Sequence, residues 1–324
     1  MTPNASNQLQ EESTPLSVFQ QPLWRAVFAL FAATLWGCAF PLVKIGFNEF
    51  SIAADMTASK MLYAGVRFTF AGILVLAFAR LTKRDFSVHS WSDGWFIVAF
   101  ALINTTLHYT FFYVGMSHCE GARGAILNAM GVFILVLAAC MFFKSDTLTR
   151  GKALGCLVGA TGIVMLHVDK GGGSGFTWMG DGMMMINALC SACGGLMTRS
   201  LSKRVDIFVG TGYNLFLGGA LLCGYGVIAG GTLPSITPKG CYVLTALVAI
   251  STIGFMLYNK LLTCNPIGKV AIYNSLIPIV GTLTSCWCLD EPFRTNYTVA
   301  AVLATVGIYL VNREKGRHPK RKAS

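Results

Sequence analysis

Arg123-Gly-Ala-Ile-Leu-Asn128 and Lys269-Val-Ala-Ile-Tyr-Asn274 are two versions of one pattern. Each opens on a basic residue, carries Ala-Ile at its centre and closes on Asn. After a one-residue slip the match resumes, with Asp146 against Glu291 and Gly162-Ile163 against Gly307-Ile308. Both copies lie in apolar segments long enough to cross a bilayer. The repeating unit is therefore a group of membrane spans.

Composition widens that reading to the whole chain. Of 324 residues, 54% are apolar and 12% charged, about half the charged share of a soluble domain. Apolar windows of about 20 residues, the length a helix needs to cross hydrocarbon, recur at 24–47, 60–79, 94–113, 122–143 and 151–168. They recur again at 180–198, 207–229, 241–262, 268–288 and 296–311. This pattern predicts an all-α integral membrane protein of ten transmembrane helices. Gly171-Gly-Gly-Ser-Gly175 separates five spans from five. The expected organisation is a tail (1–23), a first repeat (24–170), a linker (171–179), a second repeat (180–312) and a basic tail (313–324). An odd number of spans per half inserts the second upside down relative to the first, giving two inverted five-helix repeats. Asn128 and Asn274 then lie at mirrored depths.

The net charge of +11 is explained by position. Most basic residues fall in the segments that share a side with the termini, including Arg80, Lys83 and Arg84, then Arg199, Lys203 and Arg204, then the C-terminal tail. The opposite side holds Lys60, Arg123, Lys170, Lys239 and Arg294. This asymmetry obeys the positive-inside rule, so both termini are expected in the cytoplasm and the chain in a cell (inner or plasma) membrane. No nucleic-acid partner is needed to account for the charge. Residues 1–22 lack a basic region before an apolar core, so no cleaved signal peptide is expected. The eleven cysteines lie mostly inside apolar spans and read as small packing residues. Cys190-x-x-Cys193 sits mid-helix with no third ligand, and no metal or cofactor is expected.

Internal repeats of membrane spans mark secondary transporters, whose binding site lies where the repeats meet. Polar groups inside hydrocarbon are the functional suspects there. No carboxylate falls at mid-span, which argues against a buried acidic relay and for facilitated diffusion or exchange. His108 and Asn104 share one face of the third span. Asn128 and Asn274 form the mirrored amide pair, with Tyr273 beside the latter, and amides suit zwitterionic or polyhydroxyl ligands. Asn187 on span six, Tyr258 on span eight and Trp36 on span one complete the expected lining. Lys44 is expected to snorkel at an interface. Arg67 lies deeper, either fixing span two through a carbonyl or carboxylate or drawing anions into a vestibule. Pro41 and Pro278 are the expected helix distortions; Pro278 frees a backbone carbonyl near Asn274. Asp146 and Glu291 are expected to complement the dipoles of the helices that follow them. Gly155, Gly159 and Gly162 line one face of span five, while Ala300, Ala304 and Gly307 line span ten. That spacing favours close packing within the chain over a homodimer interface.

Several of these residues carry a family resemblance. Leu35-Trp-Gly-Cys-Ala-Phe-Pro-Leu-Val-Lys44 is similar to the opening signature of EamA-like members of the drug/metabolite transporter superfamily. Arg67 stands where that family tends to carry an Arg. The run from Pro278 to Leu289-Asp-Glu-Pro292, then Gly307, resembles the end of an EamA repeat. The first repeat departs from it: Gly131 or Val132 replaces the usual Pro, and Asp146 replaces Glu. Span four is therefore expected to be less kinked than span nine. The resemblance implies a ten-helix bundle, a central cavity between the halves, and export or exchange of small polar metabolites, amino acids or related compounds. The alternatives are a nucleotide-sugar or phosphorylated-sugar exchanger and a non-transporting membrane scaffold. No motif of a hydrolase, metalloprotease or nucleotide-binding enzyme occurs.

Overall fold

In hydrocarbon every backbone N–H and C=O must be satisfied within the protein, and this chain meets that demand with helices. The computed structural model describes residues 17–142, 148–166, 175–265 and 267–312, which hold ten helical stretches and no strand. The first four are α1 (Pro22–Glu49), α2 (Thr57–Leu81), α3 (Trp91–Ser117) and α4 (Gly121–Asn128 continued by Met130–Phe142). Next come α5 (Arg150–Met165), α6 (Trp178–Gly182 continued by Met183–Leu201), α7 (Ile207–Ile228) and α8 (Pro238–Cys264). The last two are α9 (Ile267–Ala271, Ile272–Ser275, Leu276–Cys288) and α10 (Thr295–Asn312). Asp146, the linker residues 171–174 and the tail 313–324 lie outside the described residues.

Each expected span falls on one of these stretches. Seven of them, α1 to α4 and α7 to α9, contain a helix long and apolar enough to cross a membrane. The helix Thr295–Val311 of α10 is apolar but shorter, and α5 has 16 residues. The protein is thus an all-helical, multi-pass membrane protein. Its outer surface is apolar, with Phe70, Leu74 and Phe78 on α2 and Leu221, Tyr225 and Ile228 on α7 exposed.

Four helix starts are fixed locally by side-chain caps. Ser90, Thr149, Asp206 and Thr237 each accept a backbone N–H from the first turn of α3, α5, α7 and α8. At α4 the preceding residue Glu120 makes no side-chain cap. Its first two N–H groups donate instead to the carboxylate of Glu291, from Gly121 at 2.7 Å and Ala122 at 3.0 Å. Glu291 was expected to serve α10, the helix after it. The structure turns it onto the positive end of α4, because Gly121 brings that end against α9: a Cβ there would lie 2.7 Å from Ser285 Oγ.

Ion pairs tie together helix termini that share one end of the bundle. Arg84 with Asp206 (3.9 Å) and Arg204 with Asp93 (2.6 Å) join the ends of α2 and α6 to the starts of α7 and α3. That is the termini end, where α1 begins. Lys44 with Glu291, Lys239 with Glu49 and Arg294 with Glu120 gather the opposite, far end.

Packing follows an exchange rule. α1 lies against α8 and α9, and α6 lies against α3 and α4. α2 packs on α7, α5 on α10 and α4 on α9. Small residues bring these helices close, as expected for α5 and α10. A Cβ on Gly155 would meet Gly307 O at 2.7 Å, and one on Gly162 would meet Ala300 O at 2.9 Å. The small-residue faces therefore meet each other within the chain.

Candidate functional site

Irregular backbone in the middle of the bundle delivers four polar side chains to one place. In α3 a π-helical turn (Leu102–Leu107) holds Asn104, and His108 follows directly. α4 breaks at Ala129, immediately after Asn128. α9 tightens to a 3-10 turn over Ile272–Ser275, which contains Asn274. Pro278 has no N–H to give Asn274 O, four residues back, so the regular ladder fails there. The α4 interruption arises without a proline and is confined to one residue, whereas that of α9 extends over four. The α4 break coincides with tight packing against α6, where a Cβ on Gly131 would stand 3.2 Å from Ala188 O. Asn187 of α6 also donates to Asn128 Oδ1 across 3.0 Å.

These irregularities surround a cavity of about 180 Å³. Asn104, His108, Asn128 and Asn274 line it, as do Trp36, Tyr258, Arg67 and Pro278. Eight of the expected residues therefore meet at one site, drawn from α1, α2, α3, α4, α8 and α9. α6 adds Ser191, Gly195 and Thr198. The amide of Asn274 donates to Tyr258 OH at 2.7 Å, and its Oδ1 is buried with no partner. Trp36 packs edge-on against Tyr258 (4.9 Å between ring centres) and Phe255 (5.5 Å), in space that Gly254 leaves open. Phe40, Tyr109 and Phe112 form the far-end wall. In the other direction the lining reaches Thr198 and Leu262, within about a turn of the ends of α6 and α8. The cavity thus runs from mid-bundle toward the termini end.

Arg67 is 3% exposed. Its Nε donates to Leu247 O (3.2 Å) and Ser251 Oγ (2.9 Å), and its Nη1 to Tyr113 OH (3.0 Å). The carbonyl anchoring expected of it is present, and it also faces the cavity.

Four expected residues fall outside the lining. Asn187 is fully buried and touches the site only through Asn128. Tyr273 is not among the lining residues and packs against the cluster of Ala29, Leu261, Leu262 and Val270. Pro41 is buried inside α1, which runs through it unbroken. Lys44 lines a separate far-end hollow of about 360 Å³ with His118, Glu120 and Arg123. Its Nζ donates to Cys119 O (2.7 Å) and Glu291 (3.4 Å). Beside it, Arg123 grips Asp181 with Nε on Oδ1 (2.6 Å) and Nη2 on Oδ2 (2.9 Å), both side chains buried. Sequence reading missed this pair, and it missed Tyr109 and Phe112 as wall residues. The aromatics read as ordinary packing, and nothing local in the chain couples residue 123 to residue 181.

Comparison with known proteins gives a consistent result. The profile of the EamA-like transporter family matches twice, over residues 23–168 and 178–313. A chloroplastic WAT1-related protein of Arabidopsis thaliana is 28% identical over 266 residues, covering 78% of this chain and 63% of the relative, so the match spans less than two thirds of that protein. An uncharacterized transporter of Bacillus subtilis is 26% identical, covering 89% of this chain and 91% of its own. A probable amino-acid metabolite efflux pump of Escherichia coli is 22% identical over 88% of this chain and 93% of the pump. One crystal structure superposes with a TM-score of 0.64 at 17% identity, over 88% of this chain and 96% of that one, a likeness of fold.

Proposed function

Since this chain belongs to the EamA-like transporter family, we propose that it moves amino acids or closely related small polar metabolites across the cell membrane by alternating access. The observation that carries the reading is the cavity itself. Amides from α3, α4 and α9 converge with Tyr258 and Trp36 in a space about the size of one small metabolite, at mid-depth. The names of two relatives, amino-acid metabolite efflux pumps of Escherichia coli and Salmonella typhimurium, support this substrate class.

Ten transmembrane helices in two inverted repeats, 24–170 and 180–312 joined by 171–179, form the moving frame. The double family match supports it. So does the packing rule: adding five to each helix number turns α1 on α8 and α9 into α6 on α3 and α4. Asn128 and Asn274 then stand as mirrored groups, each at an interruption in its helix. With both termini cytoplasmic, the conformation described opens inward and is sealed at the far end. An exporter or facilitator loads its cargo from that state.

Reconstitution into liposomes tests this reading. Wild-type protein is expected to catalyse counterflow of amino acids. Asn128→Leu with Asn274→Leu is expected to stay monodisperse and lose at least about tenfold of that flux, each amide being worth roughly 1 kcal/mol or more in a water-poor site. Full flux in the double variant would remove the cavity from the pathway. No flux of any amino acid in the wild type, under any gradient, would leave the scaffold alternative standing.

A further inference from the structure

Among the lining residues of the central cavity, Arg67 is the only Lys, Arg, Asp or Glu. It is buried, and its three hydrogen-bond acceptors, Leu247 O, Ser251 Oγ and Tyr113 OH, are all neutral. Among the described residues no Asp or Glu stands within ion-pairing distance of its guanidinium. Elsewhere the chain treats buried charge differently: the equally buried Arg123 is matched to Asp181 by two short bonds. A guanidinium cannot shed its proton, so burial does not neutralise it. An uncompensated cation inside a membrane protein is expensive, and such groups mark ligand pathways. The fork also keeps Nη2 for a further planar acceptor.

Resting on the reading of this cavity as the substrate site, we infer that the transported molecule bears a carboxylate and that this group docks on Arg67. The remainder of the molecule extends toward the termini end. There it meets the faces of Trp36 and Phe255 and the polar atoms of Asn104, Asn128 and Asn274. With no acid in the lining, an ammonium finds only neutral oxygens, among them the unpartnered Oδ1 of Asn274. The site therefore favours acids and zwitterions and disfavours cations. The single positive charge also matches one carboxylate better than a doubly charged phosphate ester.

The test uses matched skeletons in liposomes carrying the full-length protein. L-phenylalanine, L-phenylalaninamide and 2-phenylethylamine form one series, and L-leucine, L-leucinamide and 3-methylbutylamine the other. Uptake of each acid is expected to exceed that of its amide and amine by about tenfold or more, as for loss of a charged hydrogen bond. Arg67→Gln should abolish that preference, and Arg67→Lys should keep part of it. Tyr113→Phe with Ser251→Ala strips bonds that hold α2 to α3 and α8 but leaves the charge, and should preserve the preference. Amides and amines moving as well as acids in the wild type would overturn the carboxylate assignment while leaving the transporter reading intact. Loss of preference in the Tyr113→Phe, Ser251→Ala protein equal to that in Arg67→Gln would make Arg67 a strut and overturn it too. If no compound of either series moves, both readings fall together.

Discussion

Arg123 and Arg67 are both buried arginines of the first half, yet they solve burial differently. Arg123 is neutralised by Asp181, whose Oδ2 also accepts from Thr177 N at 2.7 Å. Removing one partner strands the other as an unpaired buried charge. Arg123→Leu is therefore expected to destabilise the protein by about 3–5 kcal/mol. Arg123→Leu with Asp181→Leu should recover most of that loss, because no charge is left behind. Thermal unfolding in detergent checks both; equal destabilisation in the single and double variants would refute the account. Legibility differs between these residues for a physical reason. Asn104, His108, Asn128 and Asn274 announce themselves as polar groups in apolar windows, and all four line the cavity. Asp181 sits at a span boundary, where a carboxylate looks ordinary, and only the fold brings it to Arg123.

At the scale of the element, apolar windows and glycine spacing located the helices and the α5–α10 seam, because both are properties of a regular 3.6-residue period. What escaped is what breaks the period. The π turn in α3, the interruption at Ala129 and the 3-10 turn of α9 leave no signature in hydropathy, and only Pro278 advertises one of them. The break in α4 needs no proline, since its surroundings include tertiary contacts from Ala188 and Asn187. The seam itself is quantitative. A Cβ on Gly307 would stand 2.7 Å from Gly155 O and 2.8 Å from Gly159 N, both backbone atoms. Gly307→Val is expected to cost about 1–3 kcal/mol by overpacking, with no change in oligomeric state. Size-exclusion chromatography with a melting curve separates this from a homodimer interface, at which the oligomer would dissociate while the fold of the monomer held.

For the molecule as a whole, the proposed alternating access demands that the far end be closed firmly enough to seal and loosely enough to open. Its contacts divide along that line. Arg123 and Asp181 are buried and join α4 to α6, whereas Lys44 is 26% exposed on its side chain and meets Glu291 at 3.4 Å. A partly exposed pair of that kind is worth at most ~1 kcal/mol. Glu291 does more than pair with Lys44, since it also holds the first N–H groups of α4 from the segment leading into α10. It therefore clasps the two halves together across the far end, and a carboxylate at a helix start adds about 0.3–1 kcal/mol. Losing both contributions shifts a two-state equilibrium by about tenfold, at 1.4 kcal/mol per factor of ten. Cys119, whose carbonyl binds Lys44, is a native reporter beside this clasp. In Glu291→Ala, labelling of Cys119 by a membrane-impermeant maleimide from the far side is expected to accelerate severalfold, read peptide by peptide in a mass spectrometer. Glu291→Gln, which keeps acceptors for the α4 start but loses the charge, should fall between the two. Cys190 and Cys193, in the middle of α6 and away from the far end, provide the internal control. If Cys119 labels at the wild-type rate in Glu291→Ala, the far-end clasp is not a gate, and opening must be controlled by the aromatic wall of Phe40, Tyr109 and Phe112 instead.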